Sequence, residues 1–439
     1  MLIPHDMNGQ TVGVLGLGGS GVAAVAALQA AGAHVVAFDD GKYQQDLPAI
    51  QMTDWRDWPW QDMAAMVISP GIPHLHPKPH PAAAHANSLQ IHVISEVELA
   101  LRAKPQAQLV VVTGTNGKST TTALIGHCLA TAGRAHAIGG NLGDPACSLD
   151  DPGKDGVLVL ELSSYQLETT PSLAPDISIL LNISPDHLDR HGGMNGYIAS
   201  KAVVLDRLGA GCLAIIGDGD EHVKTLAAAT RKRGIKTMIA SPDDAPDAQR
   251  HSASLAGFHN AENAAAAAFA LAALGLDIAL INRGVKSYSS LPHRLQTVAR
   301  CGKIQFVNDS KATNGVAAAK ALSAFDDIYW VAGGLAKQDG LTPAMQYLGA
   351  VKKAYLIGTA ATEFAKSLDG QCPATIFGDL EKATRAAFDD ASAAIDGGTI
   401  LLAPAAASFD QFTSFGARGD AFAALAQNLC ATTAGGNHA

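Results

Sequence analysis

Short apolar runs, each followed by a turn and a helical stretch rich in alanine, recur along the whole of this chain. That alternation constrains the fold more than any single motif. Parallel strands must be joined by crossovers, usually helical, so the chain reads as α/β with parallel sheets. The first unit has strand-like stretches at Thr11 to Leu15, His34 to Phe38 and Ala64 to Ile68. A loop with Trp55, Trp58 and Trp60 precedes the last of these, and Ser69 to Pro81, with five prolines, reads as loop throughout. A short helix from Ser95 to about Arg102 closes the unit, and Lys104-Pro105 reads as a linker. The second unit places strands at Gln108 to Thr113, Gly156 to Leu162, Asp176 to Asn182, Cys212 to Ile216 and Lys236 to Ile239, with helices at Ser119 to Thr131 and about Ala261 to Leu274. The third begins after Leu291-Pro-His-Arg294, with strands at Ile304 to Val307, Ile328 to Ala332, Ala354 to Ile357 and Thr399 to Leu402; its tail from Ala431 reads as disordered. At about 150 residues per domain the length predicts roughly three domains, with boundaries expected at 1–98, 99–297 and 298–439.

Composition narrows the class. With 48% hydrophobic residues, 16% charged residues and a net charge of −9, the chain carries enough apolar surface to fold. The acidic balance argues against a partner as anionic as nucleic acid or a membrane surface. No apolar stretch is long enough to span a bilayer, and the longest, Ala264 to Leu276, reads as a buried helix. Met1 to Gln10 shows no secretory signal. The six cysteines are scattered without a C-x-x-C, so neither a disulfide framework nor a zinc knuckle is expected, and a reducing cytoplasm is.

The most informative stretch is Val110-Val-Val-Thr-Gly114-Thr115-Asn116-Gly117-Lys118-Ser119-Thr120. It joins a strand to a helix through a glycine turn. Gly114 and Gly117 let backbone N–H groups converge on an anion, and the helix start adds its positive dipole end. Lys118 suits nucleotide phosphates, and the hydroxyl of Ser119 or Thr120 suits Mg²⁺. Val112 stands where the full phosphate-loop pattern has its first glycine, so this is a shortened variant. Glu161 ends a strand, where a hard carboxylate ligand faces the ligand crevice and suits Mg²⁺. Asp186, His187, Asp189 and Arg190 cluster after the next strand, and His187 is a candidate metal ligand or substrate group. Asn260 reads as a helix N-cap. A second glycine turn, Gly16-Leu17-Gly18-Gly19-Ser20-Gly21, is a full G-x-G-x-x-G with Asp39 and Asp40 about twenty residues on. That geometry suits any diphosphate, whether of a UDP-sugar or of NAD, and the downstream loop makes UDP the preferred reading here.

The G-T-N-G-K-S-T loop resembles that of the ATP-dependent Mur ligase family, and the resemblance extends over nearly the whole chain. It implies a Rossmann-like N-terminal domain, a central ATPase-like domain with a mostly parallel sheet and a Rossmann-like C-terminal domain. It also implies a cytoplasmic enzyme, monomeric, that uses ATP and two Mg²⁺ ions. The segment Ser408 to Gly419 is similar to the one that sets the D-glutamate-adding branch apart from its siblings and from folylpolyglutamate synthases. UDP-N-acetylmuramoyl-L-alanine, D-glutamate and ATP are therefore the implied partners. Residue by residue, the resemblance assigns Gly114, Thr115, Asn116, Gly117, Lys118, Ser119, Thr120, Asn263, Arg294, Asp309 and Lys311 to ATP. Gly16, Leu17, Gly18, Gly19, Ser20, Asp39, Ser69, Pro70, Gly71, Asn141 and His187 fall to the UDP substrate. Thr313, Lys337, Ser408 and Phe415 fall to D-glutamate. Ser119, Glu161, His187 and a carbamylated Lys201 are the implied metal set, with Lys118, His187 and Lys201 catalytic. Two departures stand out: Asp40-Gly41 lacks the arginine some relatives carry, and Ala406 stands where they often have cysteine.

Overall fold

The computed structural model describes residues 1–41, 51–52, 54–255, 257–289, 291–336 and 340–435, and it divides into two compact units. One comprises 1–251 with 260–288, the other 252–259 with 289 onward.

The first unit holds two parallel sheets. β1 (Thr11–Leu15), β2 (His34–Phe38), β3 (Gln51–Met52), β4 (Met63–Ile68) and β5 (His92–Ile94) lie in the order β3-β2-β1-β4-β5. β6 (Gln108–Thr113), β7 (His136–Gly140), β8 (Val157–Glu161), β9 (Ile177–Leu180), β10 (Leu213–Gly217) and β11 (Lys236–Ala240) follow in the order β11-β10-β9-β6-β8-β7. Strands inside such sheets are covered on both faces, which is why β6 and β8 read as unbroken Val and Leu rather than as alternation. One apolar cluster runs from Val14 and Val67 of the first sheet through Leu99 to Leu160 and Ile216 of the second. The helix Glu96–Arg102 joins them: Ser95 caps it by accepting from the Glu98 amide at 3.2 Å. The buried Glu98 carboxylate takes Arg102 Nε at 2.9 Å and the Ser172 hydroxyl at 2.6 Å.

The second unit carries β12 (Gln296–Cys301), β13 (Ile304–Asn308), β14 (Ile328–Gly333), β15 (Leu335–Ala336), β16 (Val351–Ile357), β17 (Ala374–Gly378), β18 (Gly398–Leu402) and β19 (Ala406–Ala407). Its main sheet runs β12-β13-β18-β14-β16-β17, with β12 antiparallel to β13, while β15 and β19 form a small antiparallel pair. Trp330 and Phe364 pack one face and Phe306, Tyr355 and Phe422 the other. The Trp330 indole donates to the Ala403 carbonyl at 2.8 Å, so its polar edge is satisfied inside the core.

Several expectations are corrected. The described part of the tail is helical: the helix Phe415–Gly435 runs past Ala431, anchored by buried Phe422, Ala426 and Leu429. Cys301 and Cys430 form a disulfide across 129 residues, with Cα atoms 5.4 Å apart, whereas Cys128, Cys147, Cys212 and Cys372 are free. The proline-rich loop ends in a helix start, Pro81–Ser88, because proline at the first helical position loses no hydrogen bond and His80 caps it. The long alanine helix begins at Phe258, so Asn260 lies inside it, buried, and does not cap it.

Candidate active site

Parallel sheets present ligand-binding loops at the carboxyl ends of their strands. In the second sheet β6, β8 and β9 end side by side, with Val112 opposite Glu161 and Thr113 opposite Leu180. The glycine loop leaves β6 there. Gly114 (φ +148°) and Gly117 (φ +87°) occupy backbone conformations open to glycine, and Gly117 is the left-handed residue that starts the helix Lys118–Thr131. A Cβ on Gly117 would run into the Asn263 side chain, which places Asn263 against the loop. Asn182 straps the loop by accepting from the Asn116 amide at 2.9 Å and donating to its carbonyl at 3.1 Å. Thr115 is held from the other side by the Tyr197 hydroxyl at 3.0 Å and the Ser184 amide at 3.0 Å. Lys118 donates to the carbonyls of Gly114 and Thr115 at 3.0 and 2.9 Å. Ser119 is buried in the first turn.

Lys201, 2% exposed, lies 4.8 Å above the Tyr197 ring and donates to the same Gly114 carbonyl at 2.8 Å. Burial and the nearby Lys118 charge hold its ammonium far below the usual lysine range, against the pull of Asp186 and Glu161. The Glu161 carboxylate is buried at the end of β8. One oxygen accepts from Asn141 Nδ2 at 2.7 Å, and Oε2 has no hydrogen-bond partner among the described residues. A buried, unpaired carboxylate oxygen is costly unless a cation completes it. Among the described residues no cluster of three or more His, Cys, Asp or Glu is placed to hold a metal.

The expected groups do not all converge. Lys201 feels the charges of Lys118, Asp186 and Glu161, and Asn141 donates to Glu161. His187, in a left-handed conformation (φ +52°), contacts Asp186 at 3.5 Å and the Tyr165 ring at 5.5 Å. Sequence reading missed its neighbour His191, which is buried between Glu168 (2.8 Å) and Ser164 (2.9 Å) and stacked on Tyr165. No local spacing signals that contact, because its partners lie 23 and 27 residues upstream.

The first sheet supplies the other glycine turn. Gly16 has φ +88°, and a Cβ on Gly21 would strike the Gly16 carbonyl, so strand and helix meet only with glycine at both positions. Gly18 and Gly19 face open space, and Ser20 is half-buried in the first helical turn. Asp39 accepts from the Leu17 amide at 2.6 Å and the Gly41 amide at 2.8 Å, which makes it a brace for the turn. Ser69 donates to the Gly16 carbonyl at 2.9 Å. Arg190 reaches the carbonyls of Gly71 and Pro70 at 3.0 and 3.3 Å and lies 4.4 Å over the Tyr165 ring, tying the second loop to the His187 segment.

In the second unit, Asp309 and Lys311 follow β13. Burial pushes the Asp309 carboxyl up to about 7, opposed by the nearby Arg294 charge and the Leu295 amide. Lys311 Nζ lies 4.0 Å over the Phe415 ring. Thr313 is half-buried, and its amide donates to the Lys311 carbonyl at 2.8 Å. Ser408 is buried just beyond β19. Lys337 lies outside the described residues. Arg418, in the segment that sequence reading singled out but without a role of its own, is 1% exposed.

These features give an α/β protein with a glycine loop, two lysines on one carbonyl and a buried carboxylate at the carboxyl end of one sheet. Comparison with known proteins resolves the class. Residues 112–271 match the model of the Mur ligase middle domain and residues 293–406 that of the Mur ligase, glutamate ligase domain. The chain is 42% identical to the UDP-N-acetylmuramoylalanine–D-glutamate ligase of Caulobacter sp. (strain K31), over 98% of both chains. It is 43% identical to the ligase of the same name from Paramagnetospirillum magneticum, over 96% of this chain and 97% of that one. In fold it resembles the MurF ligase of Thermotoga maritima solved with ADP (TM-score 0.59, 16% identity, 99% of this chain and 98% of that one). It also resembles the UDP-N-acetylmuramate–alanine ligase MurC of Thermotoga maritima (TM-score 0.58, 17% identity, 95% and 99%). The chain belongs to the Mur ligase family.

Proposed function

We propose that this chain is the ATP-dependent amide ligase that adds D-glutamate to UDP-N-acetylmuramoyl-L-alanine in peptidoglycan precursor synthesis. Full-length similarity to relatives of that name supports the substrate. The observation that carries the chemistry is the convergence of Lys118 and Lys201 on the Gly114 carbonyl, with the unpaired Glu161 Oε2 at the neighbouring strand end.

In this reading the loop amides and Lys118 hold the ATP phosphates and neutralise the charge that would repel an incoming carboxylate. The alanyl carboxylate of the UDP substrate takes the γ-phosphoryl group, giving an acyl phosphate and ADP. The D-glutamate amine then attacks the acyl carbon, and phosphate leaves as the amide forms. Glu161, Ser119, His187 and Lys201 are the residues that would hold Mg²⁺, which supplies further charge neutralisation on the phosphates. Carbamylation of Lys201, as in the family, would replace a buried ammonium beside Lys118 with an anion. The 1–98 segment would take UDP, 99–297 ATP and 298–439 D-glutamate through Thr313, Lys337, Ser408 and Phe415. An NAD reading of the first turn is disfavoured because the second glycine loop downstream is the better-formed nucleotide motif. The enzyme would act as a cytoplasmic monomer, where its nucleotide substrates are made. Among the described residues no helix is long and apolar enough to cross a membrane.

Phosphate release from ATP tests the proposal. It should require UDP-N-acetylmuramoyl-L-alanine and D-glutamate together and vanish in Lys118→Ala. Near-normal turnover in that variant would overturn the phosphate-loop assignment.

A further inference from the structure

We infer that Arg418 is a positioning residue that sets the geometry of the amino-acid pocket. Its guanidinium is buried in the second unit and spends its donors on three separate segments. Nε donates to the Ser310 hydroxyl at 3.0 Å, and Nη2 donates to the carbonyls of Ser310 (2.9 Å) and Ala406 (3.1 Å). Nη1 approaches the Gly333 carbonyl at 3.4 Å. All of these acceptors are neutral. The Ser310 hydroxyl in turn donates to the Phe415 carbonyl at 2.8 Å, which ties Ser310 back to the first turn of the arginine's own helix.

Each segment leads into a residue assigned to D-glutamate. Ser310 lies three residues before Thr313, with the ATP-assigned Lys311 between them; Gly333 precedes Lys337 in the chain, Ala406 precedes Ser408, and Phe415 starts the helix that carries Arg418. The small pairing of β15 with β19, Leu335 opposite Ala407, holds two of these segments side by side. Gly334 lets the backbone pass close: a Cβ there would meet the Ala407 carbonyl and come within 3.1 Å of Arg418 Nη1. A buried guanidinium is expensive, and a stability role alone would be served as well by an apolar side chain. Its planar fork, however, can fix several backbone carbonyls at once, which a flexible lysine cannot do. Burial lowers its pKa to about 10, so it is still cationic near neutrality and adds positive potential for a substrate with two carboxylates.

The inference rests on the D-glutamate reading and is tested by steady-state kinetics on the full chain. Arg418→Met should raise the KM for D-glutamate by at least about tenfold, and by several times more than it raises the KM for ATP, whose assigned residues Asp309 and Lys311 flank Ser310. Arg418→Lys should recover only part of that loss. If Arg418→Met does not fold, Ser310→Ala carries the test, with a D-glutamate KM raised by about threefold. An unchanged D-glutamate KM in a folded variant, or equal shifts for every substrate, would overturn the inference while leaving the ligase reading in place. Absence of D-glutamate turnover in the wild type would overturn that reading itself.

Discussion

Gly117→Ala makes the geometry of the phosphate loop measurable. Gly117 sits at φ +87°, where a side chain costs about 1 kcal/mol or more. Its added methyl would also collide with the Asn263 side chain, which is itself buried and donates to Asn260 at 3.1 Å. Asn263 cannot retreat without breaking that bond, so we expect a further ~1–2 kcal/mol, expressed as displacement of the loop. Gly133→Ala is the control. It lies just past the C-terminus of the same helix, at φ +70°, with no atom within 4 Å of the new methyl. It should lose about 1 kcal/mol of stability and no activity. If the loop binds ATP, displacement worth about 2 kcal/mol lowers kcat/KM for ATP by roughly thirtyfold. Thermal unfolding reads the first quantity and ATP-dependent phosphate release the second. A folded Gly117→Ala with kcat/KM for ATP within about threefold of wild type would refute the assignment of this loop to ATP.

Arg190→Ala should raise the KM for the UDP substrate about tenfold, measured at saturating ATP, because the Ser69 to Gly71 loop loses its tie to the His187 segment. Burial raises the folded-state pKa of Asp309 to about 7, above its unfolded value near 4, so its favourable contribution is complete below about pH 4 and is lost as pH rises to 7. Asp309→Asn should therefore be stabilised relative to wild type at pH 8 more than at pH 5, by melting temperature, and equal shifts at both would contradict the burial argument. Reducing the Cys301–Cys430 bond should cost about 2–4 kcal/mol, since it closes a long loop. Denaturant unfolding with and without reductant reads that loss, and coincident curves would contradict it.

The central strands were legible because burial on both faces writes them as continuous Val, Leu and Ile, as in β6 and β8. β7, His136-Ala-Ile-Gly-Gly140, was not, because an edge strand with two glycines carries little propensity. Asn260 misled because asparagine is a favoured cap, yet tertiary packing buries it against Asn263 one turn inside the helix. Local motif chemistry exposed the glycine loop, Lys118 and Glu161. What joins them could not be read locally: Asn141 reaches Glu161 across 20 residues, Lys201 reaches Gly114 across 87, and Arg418 reaches Ser310 across 108. A hydrogen bond between distant segments leaves no periodicity behind, and the same is true of the disulfide.

The central claim is tested most directly by the choice of amino acid. Phosphate release with ATP, Mg²⁺ and UDP-N-acetylmuramoyl-L-alanine should be compared with D-glutamate, L-lysine, meso-diaminopimelate and L-alanine as acceptors. The account predicts turnover with D-glutamate alone, with a product heavier by one glutamyl residue. Turnover with another of these amino acids in place of D-glutamate would contradict it.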